Sequence, residues 1–226
     1  MNVIVFGATG MVGAGVLAEC LTDSRVRSVL VVGRSSCGVS HPKVRELIRS
    51  EFFDFADATA EFKGQEACFF CLGVSSAGMA EAAYHHLTYD LTLSAARTLA
   101  SLNPGSTFCY VTGEGTDSTE RGRFMWARVK GKTENHILQL PLKAYMFRPG
   151  YIQPMKGIRS KTRLYQAAYN VLAPLYPLLK RVFPTHVTTT VNVGRAMIEV
   201  ASNGYVKRVL ENVDINGLAE ARAVPE

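Results

Sequence analysis

The sequence lacks several things, and each lack excludes a class of protein. Its five cysteines (Cys20, Cys37, Cys68, Cys71 and Cys109) are odd in number and follow no disulfide framework, which points to the reducing cytoplasm. Cys68 and Cys71 have the spacing of a redox pair but sit in an apolar run, ACFFCLG. Residues three apart on a strand stand about 10 Å apart on opposite faces, too far for a disulfide, so they read as core cysteines. The histidines (His41, His85, His86, His136 and His186) show no metal-ligand pairing, and no metal is expected. His85 and His86, being adjacent, are expected on different faces of their helix. No run of Lys or Arg exceeds two residues, so the net charge of +6 is scattered and gives no nucleic-acid arm. A positive balance of that kind attracts anionic ligands. There is no internal repeat and no low-complexity segment. Val3 to Ala18 carry no charge, yet no basic region precedes them and glycines punctuate them, which argues against a signal peptide or membrane helix.

What is present begins with glycine. An apolar run, Asn2 to Phe6, empties into a turn with Gly7, Gly10 and Gly13, followed by a periodic segment (Val12, Val16, Leu17, Cys20, Leu21). A second apolar run, Val29 to Val32, ends at Gly33-Arg34. That is strand, phosphate loop, helix, strand. Glycine lets the turn be tight, the backbone approach a pyrophosphate, and the helix pack close on the strand. The free N–H groups of the helix then face the negative charge. Arg34 stands where an acidic residue would bond the ribose 2′-hydroxyl of NAD; a guanidinium suits a 2′-phosphate, so NADP is expected in preference to NAD.

The rest of the 226 residues alternates strand and helix signals. Pro42 opens an expected helix, KVRELIRS, and Glu51 to Phe53 reads as a third strand followed by a polar connection. Ala67 to Leu72 is a buried strand. A long helix over Ala80 to Leu102 carries Tyr84, Leu87, Leu91, Ala95 and Leu99 on one stripe. Strand Thr107 to Val111, a loop TGEGTDSTERGR, helix Phe124 to Leu140 and strand Lys143 to Phe147 follow. Alternation of this kind predicts an α/β, Rossmann-like doubly wound parallel sheet, with ligands outside the carboxyl ends of its strands. The last third mixes basic residues with an apolar stretch broken by Pro174 and Pro177. It reads as a small C-terminal helical lid over 153–187 within one domain, 1–226. Arg159, Lys161, Arg163, Lys180 and Arg181 leave a dimer face or a weak membrane-surface association as alternatives, while the prolines exclude a span. Thr188 to Ser202 reads as a capped helix, Val206 to Ile215 as a last strand, and the end as a frayed tail.

The succession GATGMVG, VVGRS, FFDF, CFFCLG, YVTGEGT, WARVKGKTE and FRPGYI resembles the atypical short-chain dehydrogenase/reductase superfamily over nearly the whole chain. It looks most like the branch holding the Tat-interacting-protein-type oxidoreductases and the epimerase-like NAD(P)-binding proteins. The resemblance implies that Gly7, Thr9, Gly10, Met11, Val12 and Gly13 cradle the pyrophosphate and Arg34 the 2′-phosphate. It implies Asp54 and Phe55 at the adenine, Leu72 and Gly73 at a ribose, and Pro149, Gly150, Tyr151 and Ile152 beside the nicotinamide. It also implies a catalytic set: a Tyr, a Lys four residues later, and a Ser or Thr after the fifth strand. Lys130 fits the second place and Thr112 the third. The Tyr position holds Trp126, whose indole supplies no titratable proton.

That departure leaves three outcomes. Tyr151, Tyr84, His85 or His86 substitutes as proton donor, or the reaction needs no protein phenol, or the chain binds NADP without turnover as a redox-sensing or regulatory protein. Glu114 and Asp117, in the loop after Val111, could reach a substrate or simply cap the loop. The primary expectation is a cytoplasmic NADP-dependent oxidoreductase acting on a small carbonyl or quinone-like compound. A sugar-nucleotide epimerase is a weaker alternative, since those chains carry a larger substrate domain. In related proteins the helices at 80–102 and 124–140 pair across dimers, and their partly apolar faces are compatible with a homodimer here.

Overall fold

Alternate residues of the first strand go to opposite sides of a sheet. In β1 (Asn2–Phe6) Val3 and Val5 join one apolar cluster, Ile4 and Phe6 another, and none of the four is exposed. This is the signature of a sheet covered on both faces. The computed structural model describes residues 1–155, 157 and 176–221. Around β1 lie β2 (Ser28–Gly33), β3 (Val44–Ile48), β4 (Ala67–Phe70), β5 (Thr107–Val111), β6 (Lys143–Arg148) and β9 (Val209–Glu211), in the order β3-β2-β1-β4-β5-β6-β9. Every pairing is parallel. The chain winds outward from β1 to β3, then returns to lay β4 on the other side of β1. The crevice between the carboxyl ends of β1 and β4 is therefore the switch point, where such sheets take ligands.

One face is covered by α1 (Met11–Thr22), α7 (Thr190–Asn203) and α8 (Asn212–Ala221). Glycines set how closely α1 and α7 pack. A Cβ on Gly15 would lie 2.5 Å from the Thr190 side chain, and one on Gly194 would lie 2.9 Å from that of Glu19. The other face carries α2 (Thr59–Phe62), α3 (Glu81–His85), α4 (Leu91–Leu102) and α5 (Met125–Leu138), over an aromatic cluster of Phe6, Phe52, Phe55, Phe62, Phe70 and Phe108.

Several local expectations are overturned. KVRELIRS is no helix: its Val44–Ile48 forms β3, because the outer edge of β2 needs a partner for its backbone groups. With that edge taken, Glu51 to Phe53 is irregular rather than a strand; Phe52 is buried while Phe53 lies outside. Within the expected polar connection, Thr59–Phe62 forms a helical turn that buries Phe62. The long helix is interrupted by a π turn over His86–Asp90. Its extra residue shifts the helix phase, so Leu87 turns outward while Tyr84, Ala95 and Leu99 stay buried. Val206 to Ile215 yields only the three-residue β9 before α8 begins at Asn212. A separate parallel pair, β7 (Tyr151–Gln153) with β8 (Val187–Thr189), has no counterpart among the expected strands. The expected α7 is present and capped, with the Thr189 hydroxyl accepting from the Asn192 N–H at 3.0 Å. Most of the expected lid, 153–187, lies outside the described residues, as do Arg159, Lys161, Arg163 and the tail. Its described part includes α6 (Tyr176–Val182). Among the described residues no helix is long and apolar enough to cross a membrane.

Candidate active site

A helix that opens on glycine has no side chain to cap its first N–H groups. The N-cap of α1 is Gly10, in extended geometry and offering no side-chain bond. Gly10 N–H donates to the Gly7 carbonyl at 2.8 Å, folding the loop back on its own helix. Gly7 is left-handed at φ 78°, and a Cβ there would stand 2.8 Å from the Cys71 carbonyl oxygen at the end of β4. A Cβ on Gly13 would stand 2.2 Å from the Gly7 oxygen. Thr9, Met11 and Val12 are half-buried around this turn. The arrangement is a cradle of backbone donors at the positive end of a helix dipole, and it fits a pyrophosphate.

At the neighbouring strand end Arg34 is exposed, and no partner among the described residues engages its guanidinium. The loop beyond β3 is organised by Arg49, a residue that no sequence motif singles out. Its Nη2 donates to the Asp54 carbonyl at 2.6 Å and to the Asp57 carboxylate at 2.9 Å, and its guanidinium lies 4.7 Å from the Phe55 ring centroid. Asp54 is exposed, with Oδ1 accepting from the Ala56 N–H at 2.9 Å. The Phe55 ring is 1% exposed and packs edge-on to Phe6. Phe55 therefore supports the loop from the core, beside the exposed Asp54. Leu72 packs against the aromatic cluster, and Gly73 beside it is exposed.

The carboxyl end of β5 is built from side chains instead. Lys130 and Trp126 lie one turn apart on α5, and the Lys130 ammonium donates to the Thr112 carbonyl. Burial pulls the Lys130 pKa down to about 8, opposed in part by Glu134 one turn further on. Thr112 does not serve as expected. Its hydroxyl is buried, 2.6 Å from Glu134 Oε1 and 3.1 Å from the Phe147 carbonyl oxygen, so its proton is held in the interior. The expectation that Thr112 orients a substrate oxygen is corrected: it anchors Glu134 and offers its backbone carbonyl to Lys130.

Glu134 is wholly buried and also binds Arg148 at the end of β6, with Nε 3.1 and 3.2 Å from its two oxygens and Nη2 closer still. Arg148 further reaches Ser118 Oγ at 2.6 Å and Glu211 at 3.5 Å. This network is invisible in the sequence, where Glu134 and Arg148 fall in separate motifs. It fixes the backbone that carries Pro149, Gly150, Tyr151 and Ile152. Pro149 and Ile152 are buried there, and the Pro149 carbonyl accepts from the Glu114 N–H at 2.9 Å.

Trp126 is half-buried, its six-membered ring against the loop: a Cβ on Gly115 would lie 3.4 Å from Cη2. Among the substitute donors, Tyr84 is buried and burial pushes its phenol up. Tyr151 donates to Gln153 Oε1 at 2.8 Å and is likewise raised, by burial and then by Tyr176. His85 and His86 pack on different neighbours. The π turn brings both toward Asp90, at 3.7 and 2.8 Å, with His85 packed on Tyr89 and His86 stacked on Phe53. Asp117 caps its loop, accepting from the N–H groups of Thr119, Arg121 and Gly122. Glu114 instead pairs with Nδ1 of His186. Burial pushes the Cys71 thiol up to about 12 and raises Cys20, Cys68 and Cys109 as well, closing them to thiolate chemistry.

No protein-family model matches the chain. It is 29% identical over 143 residues to the leucinostatins biosynthesis cluster protein T of Purpureocillium lilacinum, covering 62% of this chain and 52% of that one. It is 24% identical to protein HTATIP2 of Rattus norvegicus over 155 residues, covering 67% of this chain and 62% of that protein. Against the mitochondrial protein FMP52-1 of Scheffersomyces stipitis it is 24% identical over 215 residues, 92% of this chain and 94% of that one. Among solved structures, the Bordetella bronchiseptica enzyme WbmF in complex with NAD+ superposes with a TM-score of 0.66 at 17% identity, covering 98% of this chain and 78% of that one. A short chain dehydrogenase family protein from Francisella tularensis gives 0.66 at 14% identity, covering 97% and 98%. The chain thus shares the Rossmann-like fold of those structures, and in sequence it is similar to HTATIP2.

Proposed function

We propose that the chain is an NADP-dependent oxidoreductase of the atypical short-chain type, acting on a small carbonyl or quinone-like substrate. The observation that carries this reading is that an uncapped glycine loop and a half-buried Lys130, bonded to the Thr112 carbonyl, both stand at the carboxyl ends of one parallel sheet. When bound, the nicotinamide supplies the hydride chemistry. Gly7, Thr9, Gly10, Met11, Val12 and Gly13 hold the pyrophosphate, Arg34 the 2′-phosphate and Asp54 the adenine amino group. Leu72 and Gly73 line a ribose, and Pro149 and Ile152 flank the nicotinamide. Lys130, whose pKa of about 8 leaves it mostly cationic at neutral pH, bonds the nicotinamide ribose. The chain works as a single domain, in the cytoplasm and as a homodimer. The resemblance to HTATIP2 and the NAD+-bound WbmF fold support the coarse assignment.

A second reading, a non-catalytic NADP-binding regulator, is favoured by Trp126 at the position of the usual phenol. One titration begins to separate these. NADPH and NADH are added while Trp126 fluorescence is followed, and turnover is then sought over a carbonyl and quinone panel. NADPH-selective quenching with turnover supports the enzyme, and selective quenching without turnover supports the regulator. Absence of quenching by either nucleotide sinks both.

A further inference from the structure

The site holds a carboxylate–imidazole pair that none of the preceding roles uses. Glu114, in the loop after β5, bonds Nδ1 of His186, the residue just before β8, across 72 positions of sequence. Both backbones are fixed locally. Glu114 N–H donates to the Pro149 carbonyl at 2.9 Å, Tyr151 N–H to the His186 carbonyl at 2.8 Å, and His186 N–H to the Phe183 carbonyl at 3.0 Å. The pair closes over Gly150, where a Cβ would lie 2.3 Å from the His186 oxygen and 2.6 Å from Glu114 Oε2. Only glycine permits that approach. The Glu114 side chain is 44% exposed and that of His186 56%, so the pair faces solvent beside the loops that follow β5 and β6. It stands on the Pro149 to Ile152 segment, two residues along the loop from the Thr112 carbonyl that receives Lys130. No described residue bonds Nε2 of His186.

We propose that His186 is the proton donor that replaces the missing phenol, with Glu114 as its positioning residue. This rests on the oxidoreductase reading. In carbonyl reduction the hydride equivalent comes from the reduced dinucleotide, and negative charge develops on the carbonyl oxygen. The Nε2–H bond of the His186 imidazolium breaks, an O–H bond forms on the product alcohol, and neutral imidazole remains to be reprotonated by water. Glu114 accepts from Nδ1–H throughout, which leaves Nε2 as the nitrogen that donates. Besides Glu114, the titratable and charged groups on elements around His186 are Tyr151 on β7 and Tyr176, Lys180 and Arg181 on α6. Lys130 bonds the Thr112 carbonyl, two residues before Glu114.

The test has two arms on the full chain. In the first, the imidazole proton signal of His186, assigned by its loss in His186→Gln, is followed against pH without nucleotide. Glu114→Gln should displace this signal at every pH sampled, and Glu114→Asp should restore most of its wild-type position. An unmoved signal overturns the pairing. In the second, nitrobenzaldehyde is reduced with NADPH. His186→Gln should lower kcat roughly a hundred- to ten-thousandfold and leave Trp126 quenching by NADPH intact. Glu114→Gln should lower kcat with KM unchanged, the split expected of a residue that positions the donor, and Glu114→Asp should recover part of the loss. A wild type that turns over, beside a His186→Gln variant within about threefold of it, overturns this proposal alone. A wild type that binds NADPH and reduces no carbonyl or quinone overturns it together with the oxidoreductase reading.

Discussion

The two sides of the crevice are made of different materials. Around β1 and α1 the site is backbone: glycines with no side chains, a helix with no cap, and donors supplied by neighbouring residues. Around β5 and β6 it is side chains gathered from afar, with Glu134 and Arg148 separated by 14 positions, Thr112 and Glu134 by 22, and Glu114 and His186 by 72. The first side tolerates almost no added atom. The second tolerates exposure but depends on charges being matched. A backbone site needs only local geometry, whereas a side-chain site needs the whole sheet assembled first.

The comparison can be broken most severely at the buried charge. Glu134→Ala leaves the Arg148 guanidinium, 12% exposed, without its main partner, and should cost about 3–5 kcal/mol of stability. Calorimetry should show a melting temperature lower by roughly 6–20 °C. On the backbone side, Gly13→Ala drives a Cβ to within 2.2 Å of the Gly7 oxygen. A strain of roughly 1–3 kcal/mol should weaken NADPH and NADH alike, up to about a hundredfold, as read by Trp126 quenching. Arg34→Ser sharpens the contrast, because it touches one nucleotide only. Losing a charge-assisted contact should weaken NADPH about ten- to a hundredfold while NADH is unchanged, and equal losses for both would refute the 2′-phosphate role.

The smallest effect concerns Lys130. Burial holds its folded pKa at about 8 against an ordinary 10.5. As pH rises between those values the unfolded chain keeps a proton that the folded chain has shed, so this group adds stability with rising pH. Lys130→Met should remove that upward contribution from the melting temperature measured between the two values without nucleotide. Parallel wild-type and variant curves would count against a dehydrated Lys130.

The glycine loop is legible from the sequence because three glycines at fixed spacing suffice to fold it, and the strand runs on either side, Asn2–Phe6 and Ser28–Gly33, are apolar enough to be buried on both faces. Lys130 is legible by its spacing from Trp126 on one helix. Other local signals mislead. Val44–Ile48 carries a pattern that also suits a helix, and it becomes β3 because an unpaired edge of β2 is available to it. Leu87 loses its place in the core to the extra residue of the π turn.

By itself, then, the sequence determined the parallel α/β layering, the phosphate cradle and the place of Lys130, all properties of hydrophobic periodicity and short spacing. Only the tertiary structure decided that the Thr112 hydroxyl turns inward to Glu134, that Arg148 neutralises that carboxylate, and that His186 returns to Glu114. The first two choices belong to a carboxylate that cannot be left unpaired away from water, and all three partners are set by which strand ends the fold brings side by side.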